Sequence, residues 1–182
     1  MSVLILKNIK NEGPGTIREF LEIAGIRYKI VDLESEPIGN YDDYDTLVVM
    51  GGPMSVNDTD KYQYLIEEER VVSEFIANNK KVLGICLGSQ MIAKCLGQRV
   101  YVGKSPEIGW FELQATVAGL KDAVFSKLIV PETSKLLVFQ WHGETFDLPV
   151  NATRFAFNAL YPNQAFKYAN SVYAFQFHIE VD

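Results

Sequence analysis

Apolar positions along the chain follow two rhythms. Uninterrupted apolar runs at Val3 to Asn8, Asp45 to Gly52 and Lys81 to Cys86 alternate with stretches whose apolar residues recur every three or four positions. The runs suit strands buried on both faces of a parallel sheet. The periodic stretches suit helices with one face against that sheet. Thr16 is expected to cap a helix through Ala24, with Ile17, Phe20, Leu21 and Ala24 on one face and Gly25 as its stop. "RYKIVDL" is rich in strand formers. Asp60 to Asn79 predicts a surface helix, with Tyr62, Leu65, Ile66, Val72, Phe75 and Ile76 on one stripe and "EEER" opposite. A further helix is expected from Ser89 to about Leu96, closed by Gly97.

Strand and helix therefore alternate through the first hundred residues. That order predicts an α/β fold, an open, doubly wound, mostly parallel sheet with helices on both faces. After Arg99 the texture changes. "RVYVG", "IGWFELQATV", "KLLVFQWHG", "TRFAFNAL", "QAFKYA" and "SVYAFQFHIEV" are strand-like and separated by short turns. They predict an antiparallel β section that extends the sheet through the C-terminal half. No repeat, low-complexity tract or linker interrupts the 182 residues, so a single domain over 1–182 is expected.

Composition narrows the function classes. A hydrophobic content of 48% with 22% charged residues is ordinary for a globular chain. Net charge is −6 and the basic residues are scattered, which argues against a nucleic-acid partner. No apolar run reaches the length of a membrane span, and "MSVLILKNIK" lacks the basic start and cleavage site of a signal peptide. A cytoplasmic location and no membrane partner are expected. If Cys86 and Cys95 share one helix, nine residues separate them by roughly 13 Å, too far for a disulfide. Cys95, within "MIAKCLG", is read as a packed apolar side chain.

The candidate chemistry sits where a doubly wound sheet places it, beyond the carboxyl ends of the strands. "GICLGSQ" has the strand–turn–helix layout of a nucleophile elbow, in which a tight turn exposes its central side chain. Gly84 and Gly88 remove side chains where strand and helix close on that turn. Cys86 then stands at a helix N-terminus, whose N–H groups favour a thiolate. An ordinary thiol is only about 3% ionised at pH 7, so a neighbouring base would help. "AFQFHIEVD" supplies a candidate: His178 and Glu180, two apart in a strand-like run, point to one face. A carboxylate there can hold one ring nitrogen and leave the other for the thiol. Phe175, Phe177 and Ile179 occupy the opposite face and are expected to bury it. Nucleophile, base and orienter are thus all present.

"GGPMSV", "GICLGSQMIA" and "FQFHIE" together resemble the class I glutamine amidotransferase domain of the triad type. The likeness is nearest to stand-alone proteins related to the glutaminase domain of GMP synthase, which share a segment similar to Trp141–Gly143. It covers most of the chain, with the motifs in the family's order. The resemblance implies Cys86 as nucleophile, His178 as general base and then acid, and Glu180 as the partner of His178. Ile179 stands where the family usually has proline. The implied reaction is hydrolysis of the L-glutamine side-chain amide through a γ-glutamyl thioester. The Leu87 amide follows the nucleophile directly and is one donor to the developing oxyanion. By similarity, Gly51 or Gly52 supplies the other; removing one such donor costs about 3–4 kcal/mol. Gln90 matches the family position that contacts substrate glutamine. A plain strand-to-loop turn at Gly51 and Gly52, and a solvent-facing helix residue at Gln90, remain the alternatives from local sequence.

His142, in "QWHGETFDL", has Glu144 two residues on, but Gly143 intervenes and the register is expected to change there; a pocket role or a structural one is expected for His142 rather than that of the base. Two histidines and isolated carboxylates give no metal-ligand spacing, and there is no Gly-rich phosphate loop with a lysine. No cofactor is expected. Ammonia would then be delivered to a separate synthetase or acceptor subunit. Two other functions stay open: a γ-glutamyl hydrolase or peptidase using the same three residues, and a thiol redox sensor. The chain stops two residues after Glu180, where the resembling domains continue into a helix, which leaves two readings open: a naturally trimmed protein or a fragment that lacks that helix. The apolar face around Val172, Phe175 and Phe177 is then expected to stand uncovered as an interface.

Overall fold

The computed structural model describes residues 1–181; Asp182 lies outside the described residues. The first half of the chain runs β1 (Ser2–Lys7), α1 (Gly15–Ile23), β2 (Arg27–Asp32), β3 (Thr46–Val49), α2 (Tyr64–Ala77), β4 (Lys81–Ile85) and α3 (Leu87–Cys95). The second half runs β5 (Val100–Ala115), α4 (Val117–Lys121), β6 (Lys135–Phe146), β7 (Thr153–Phe157), β8 (Ala165–Tyr168) and β9 (Val172–Phe175). Among the described residues all nine strands form one sheet in the order β2-β1-β3-β4-β9-β8-β7-β5-β6. Strands β2, β1, β3, β4 and β9 are parallel neighbours. From β9 through β8, β7 and β5 to β6 the pairing is antiparallel. The expected α/β architecture, a parallel sheet extended by an antiparallel section, is what the chain adopts.

Alternation within β1 explains the layers. Val3 and Ile5 turn to the side of α1, where Leu21, Val48, Met50 and Ile85 complete the packing. Leu4 and Leu6 turn to the other side, against Leu65, Val72 and Phe75 of α2 and Met91 and Ile92 of α3. Each such buried side chain contributes about 1.5–3 kcal/mol over an exposed one. The antiparallel section carries its own cluster of Leu113, Phe125, Leu136, Phe155, Phe175 and Phe177.

Several boundaries and faces differ from the sequence reading. The first helix opens at Gly15 after Pro14 with no side-chain cap; Thr16 lies inside it and its amide bonds the Glu180 carbonyl at 3.0 Å. The helix expected over 60–79 is the shorter α2, because Asp58 collects the Lys61 and Tyr62 amides into a preceding turn. In α2 Ile66 is exposed and Glu68 is fully buried. The buried stripe is Leu65, Glu68, Val72 and Phe75, spaced three, four and three, so the "EEER" run does not all face solvent. The helix after β4 begins at Leu87, directly after Cys86. "RVYVG" and "IGWFELQATV" merge into the single strand β5, broken in register between Val102 and Glu107. Strand β9 ends at Phe175, so His178 and Glu180 follow the strand rather than lie in it.

Val172, Phe175 and Phe177 are buried, contrary to the expected open face. Phe175 and Phe177 stack with ring centroids 5.3 Å apart, and Phe125 packs on Phe175 at 5.6 Å. Phe175 nonetheless borders an open apolar hollow of about 410 Å3 that Leu83, Leu128, Tyr173 and Ile179 also help to line.

Candidate active site

Cys86 is the hinge between β4 and α3. Its φ of 50° and ψ of −108° put it in a conformation that L-residues rarely adopt, at a cost of about 1–3 kcal/mol. The surroundings hold it there. Its amide bonds the Phe175 carbonyl of β9 at 2.8 Å, and its carbonyl takes the Ser89 and Gln90 amides at 3.0 and 3.2 Å. Close approach on either side needs the two glycines: a Cβ on Gly84 would collide with the Gly88 backbone, and one on Gly88 with the Val49 carbonyl. The result is a buried cysteine at the head of α3, with the Leu87 N–H the first of the helix and without an intrahelical acceptor.

His178 reaches this point from the far end of the chain. Its amide bonds the Phe139 carbonyl of β6 at 2.9 Å in an isolated antiparallel bridge. Its Nδ1 lies 2.6 Å from Glu180 Oε1, and Glu180 Oε2 accepts the Ile179 amide at 2.9 Å. The Glu180 contact makes Nδ1 the donor and turns Nε2 toward other partners; Nε2 is buried and has no hydrogen-bond partner among the described residues. A Cβ on Gly51 would sit 3.2 Å from His178 Cε1 and 3.5 Å from Cys86 Cβ. Sulfur-bearing and imidazole side chains thus flank Gly51 with little more than a methyl's width between them. Burial by itself would lower the ring's pKa, but Cys86 and Glu180 outweigh it and lift it to about 10.

The cysteine sulfur has further neighbours that the sequence reading passed over. Cys86 Sγ donates to the Trp141 carbonyl at 3.7 Å, and Gln176 Nε2 donates to Sγ at 3.8 Å. Gln90 is buried, and its Nε2 donates to Gln176 Oε1 at 3.2 Å and to the Glu144 carbonyl at 3.3 Å. It does not face solvent. Gln176 has the same parity as His178 and Glu180, so "QFHIE" carries a local signal for a third polar residue on that face. Glu12 is the other omission. It sits in "NEGPG", which reads locally as turn chemistry, yet its Oε2 would be 2.8 Å from a Gly51 Cβ. Burial raises its pKa, His178 opposes the rise and Glu180 adds to it.

His142 lies outside this cluster of contacts. Its Nε2 is 3.0 Å from Glu107 Oε2 and its Nδ1 2.8 Å from the Glu144 carbonyl. Asn158 and Gln164 also donate to Glu107. Burial pushes that carboxyl up, but the bonds from His142, Asn158 and Gln164 bring it below its ordinary value. The network braces the Trp141–Glu144 segment, which forms one wall of a cavity of about 500 Å3. Gly52, Met54 and Asp58 form the opposing wall, with Cys86 and Gln90 between. A Cβ on Gly52 would fall 2.6 Å from Met54 Sδ and 3.1 Å from Leu87 Cδ2, so the loop after β3 lies directly on the head of α3. Gly51, Gly52, Leu87 and Gln90 are therefore all brought to the cysteine. Cys95 is remote in chemistry as well as in sequence: burial pushes its thiol up to about 11, and it donates to the Glu69 carbonyl.

A doubly wound α/β sheet with a cysteine at a strand-to-helix elbow, open to a cavity beyond the strand ends, defines a class of protein. Within it, the chain belongs to the class-I glutamine amidotransferase family, whose model matches residues 15–182. It is 37% identical over 144 residues to the glutamine amidotransferase-like protein YfeJ of Salmonella typhimurium, a match that covers 78% of this chain and 59% of that protein. It is 30% identical over 181 residues to a glutamine-hydrolyzing GMP synthase subunit of Thermoplasma acidophilum, covering 96% of this chain and 82% of the relative. The crystal structure of a glutamine amidotransferase from Thermotoga maritima matches with a TM-score of 0.88 at 35% identity, over 100% of this chain and 76% of that one. Among the described residues no helix is long and apolar enough to cross a membrane.

Proposed function

We propose that residues 1–182 form one glutaminase unit that hydrolyses the side-chain amide of L-glutamine and passes ammonia to a separate synthetase in the cytoplasm. Cys86 attacks the amide carbon as its proton passes to His178 Nε2, and the C–N electron pair leaves with nitrogen, which takes that proton from Nε2. Water then adds to the γ-glutamyl thioester as His178 removes its proton, and the C–S bond breaks with sulfur taking that proton back from Nε2 as the thiol. Glu180 holds the ring by Nδ1 through both half-reactions. The Leu87 amide and the Gly51–Gly52 loop face the developing oxyanion, and Gln90 faces the glutamyl group. The separate synthetase is favoured by the likeness to a GMP synthase built from subunits, and the cytoplasm by the two free cysteines.

One observation carries this reading: Cys86 and His178 share Gly51 as a common neighbour while His178 Nδ1 is 2.6 Å from Glu180. Cys86 and Glu180 lift the ring's pKa to about 10, which favours the ring's holding the proton it then delivers to departing nitrogen. A diazo-ketone analogue of glutamine tests it, followed by peptide mapping. Label on Cys86 that glutamine blocks is the expected result, and label on Cys95 overturns the assignment. Turnover of γ-glutamyl peptides without turnover of glutamine would make the protein a peptidase instead. Thiol oxidation chemistry that survives His178→Ala unchanged would make it a redox sensor.

A further inference from the structure

A second, smaller compartment of about 80 Å3 adjoins the main cavity, lined by Glu12, Gly52, Pro53, Trp141 and His178. Among the described residues His178 lines this compartment and an apolar hollow of about 210 Å3 beside Phe177 and Ile179, but not the main cavity, whereas Cys86 and Gln90 line the main cavity. His178 is 8% exposed and its Nε2 has no hydrogen-bond partner among the described residues. Glu12 Oε2 and His178 Cε1 would both touch a Cβ at Gly51, so carboxylate and ring edge share one wall. Charge and burial act on Glu12, with no side-chain hydrogen bond contributing. A carboxylate without a built-in partner thus faces a space that the ring also lines.

We propose that this compartment is the leaving-group side of the site, and that Glu12 selects ammonia or a neutral amine over a leaving group with its own carboxylate. The proposal rests on the reading above of Cys86 as nucleophile and His178 as proton donor. When the tetrahedral adduct collapses, the leaving nitrogen takes its proton from Nε2 and therefore departs on the ring's side. From glutamine it departs as ammonia, which the compartment accommodates. From a γ-glutamyl peptide it departs as the amine of an amino acid, whose α-carboxylate is two bonds away and comes up against Glu12. Repulsion between the two carboxylates, partly shielded from water, is expected to slow the reaction by about tenfold. Glu12 is in this way a specificity-determining residue for the class of amide cleaved.

The test measures kcat/KM on the full chain for glutamine, γ-glutamylglycine and the neutral γ-glutamylglycinamide, with Cys86→Ala as the blank. Wild-type protein is expected to favour the glycinamide over the glycine substrate by about tenfold, a comparison that needs no variant. Glu12→Gln is expected to close most of that gap by speeding γ-glutamylglycine, and Glu12→Lys to reverse it. Equal turnover of the charged and neutral substrates by wild type overturns the proposal alone. So does an equal loss on all substrates in Glu12→Gln, which would make the residue a support for His178. Wild-type protein that turns over none of the three overturns the glutaminase reading as well.

Discussion

The backbone carbonyl of Glu180 accepts the Thr16 amide at 3.0 Å, which ties the carboxylate beside His178 to the first turn of α1. Gly15 makes the approach possible. Its φ is +42°, and a Cβ there would collide with that same carbonyl. Gly15→Ala is expected to destabilise the fold by about 1–3 kcal/mol. It should also lower kcat by moving Glu180. Urea unfolding with steady-state kinetics on the same samples measures both; unchanged kinetics would separate the α1 contact from the site.

Stability should depend on pH through His178. Its folded pKa of about 10 lies above the unfolded value of 6.5: burial lowers it, and Cys86 and Glu180 more than compensate. The folded chain therefore holds the proton more tightly than the unfolded one. The stabilisation is complete below about pH 6.5 and is lost as pH rises through about 10. Melting temperatures between pH 6 and 11 should fall across that window. The fall should be smaller in Glu180→Gln, which removes one of the two groups that hold the proton.

Cys86 separates activity from stability. Its φ of 50° strains any residue with a Cβ, while glycine adopts it freely. Cys86→Gly should thus be more stable than Cys86→Ala by about 1–3 kcal/mol, and both should be inactive. Chemical denaturation of the two variants side by side gives the difference. A Cys86→Ala variant as stable as Cys86→Gly would mean the turn relaxes once the sulfur is gone.

Glu68 is a buried acid under the loop after β3. Burial raises its pKa to about 8, against a hydrogen bond from Asn8 Nδ2 that lowers it. The same Asn8 amide donates to the Met50 carbonyl at 3.1 Å, one residue before Gly51. A raised folded pKa means that stability is greatest below about 4.5 and declines as pH rises to about 8. Glu68→Gln keeps the shape without the charge. It should match wild type near pH 4 and melt higher at pH 8, as thermal unfolding in buffers of equal ionic strength would reveal.

Much of the site was legible because its chemistry is local. The elbow from Lys81 to Gln90 carries its strand, its glycines and its helix within ten residues, so Cys86 could be read from that segment. His178 and Glu180 are two residues apart, and that spacing lets one hold the other even where no strand continues past Phe175. Glu68 was misassigned because a run of charges looks solvated until the stripe of Leu65, Val72 and Phe75 shows which of them shares its face. Glu12 lay hidden for another reason. Its neighbours Gly51 and His178 are about 40 and 165 positions away, and a turn sequence carries no mark of what folds over it.

Short apolar runs, helical stripes and glycine turns are instructions written within ten to twenty residues, and from them the sequence alone determined the strand–helix alternation, the elbow and the identity of its cysteine. Tertiary structure decided the rest: which strand follows which across the sheet, that a bridge to Phe139 of β6 sets His178 beside Gly51, and that the loop before α1 brings Glu12 to the same glycine. Those relations depend on loop closure between distant segments and on burial shared by several elements. No local pattern encodes them, because the energy that selects them exists only once the layers have packed.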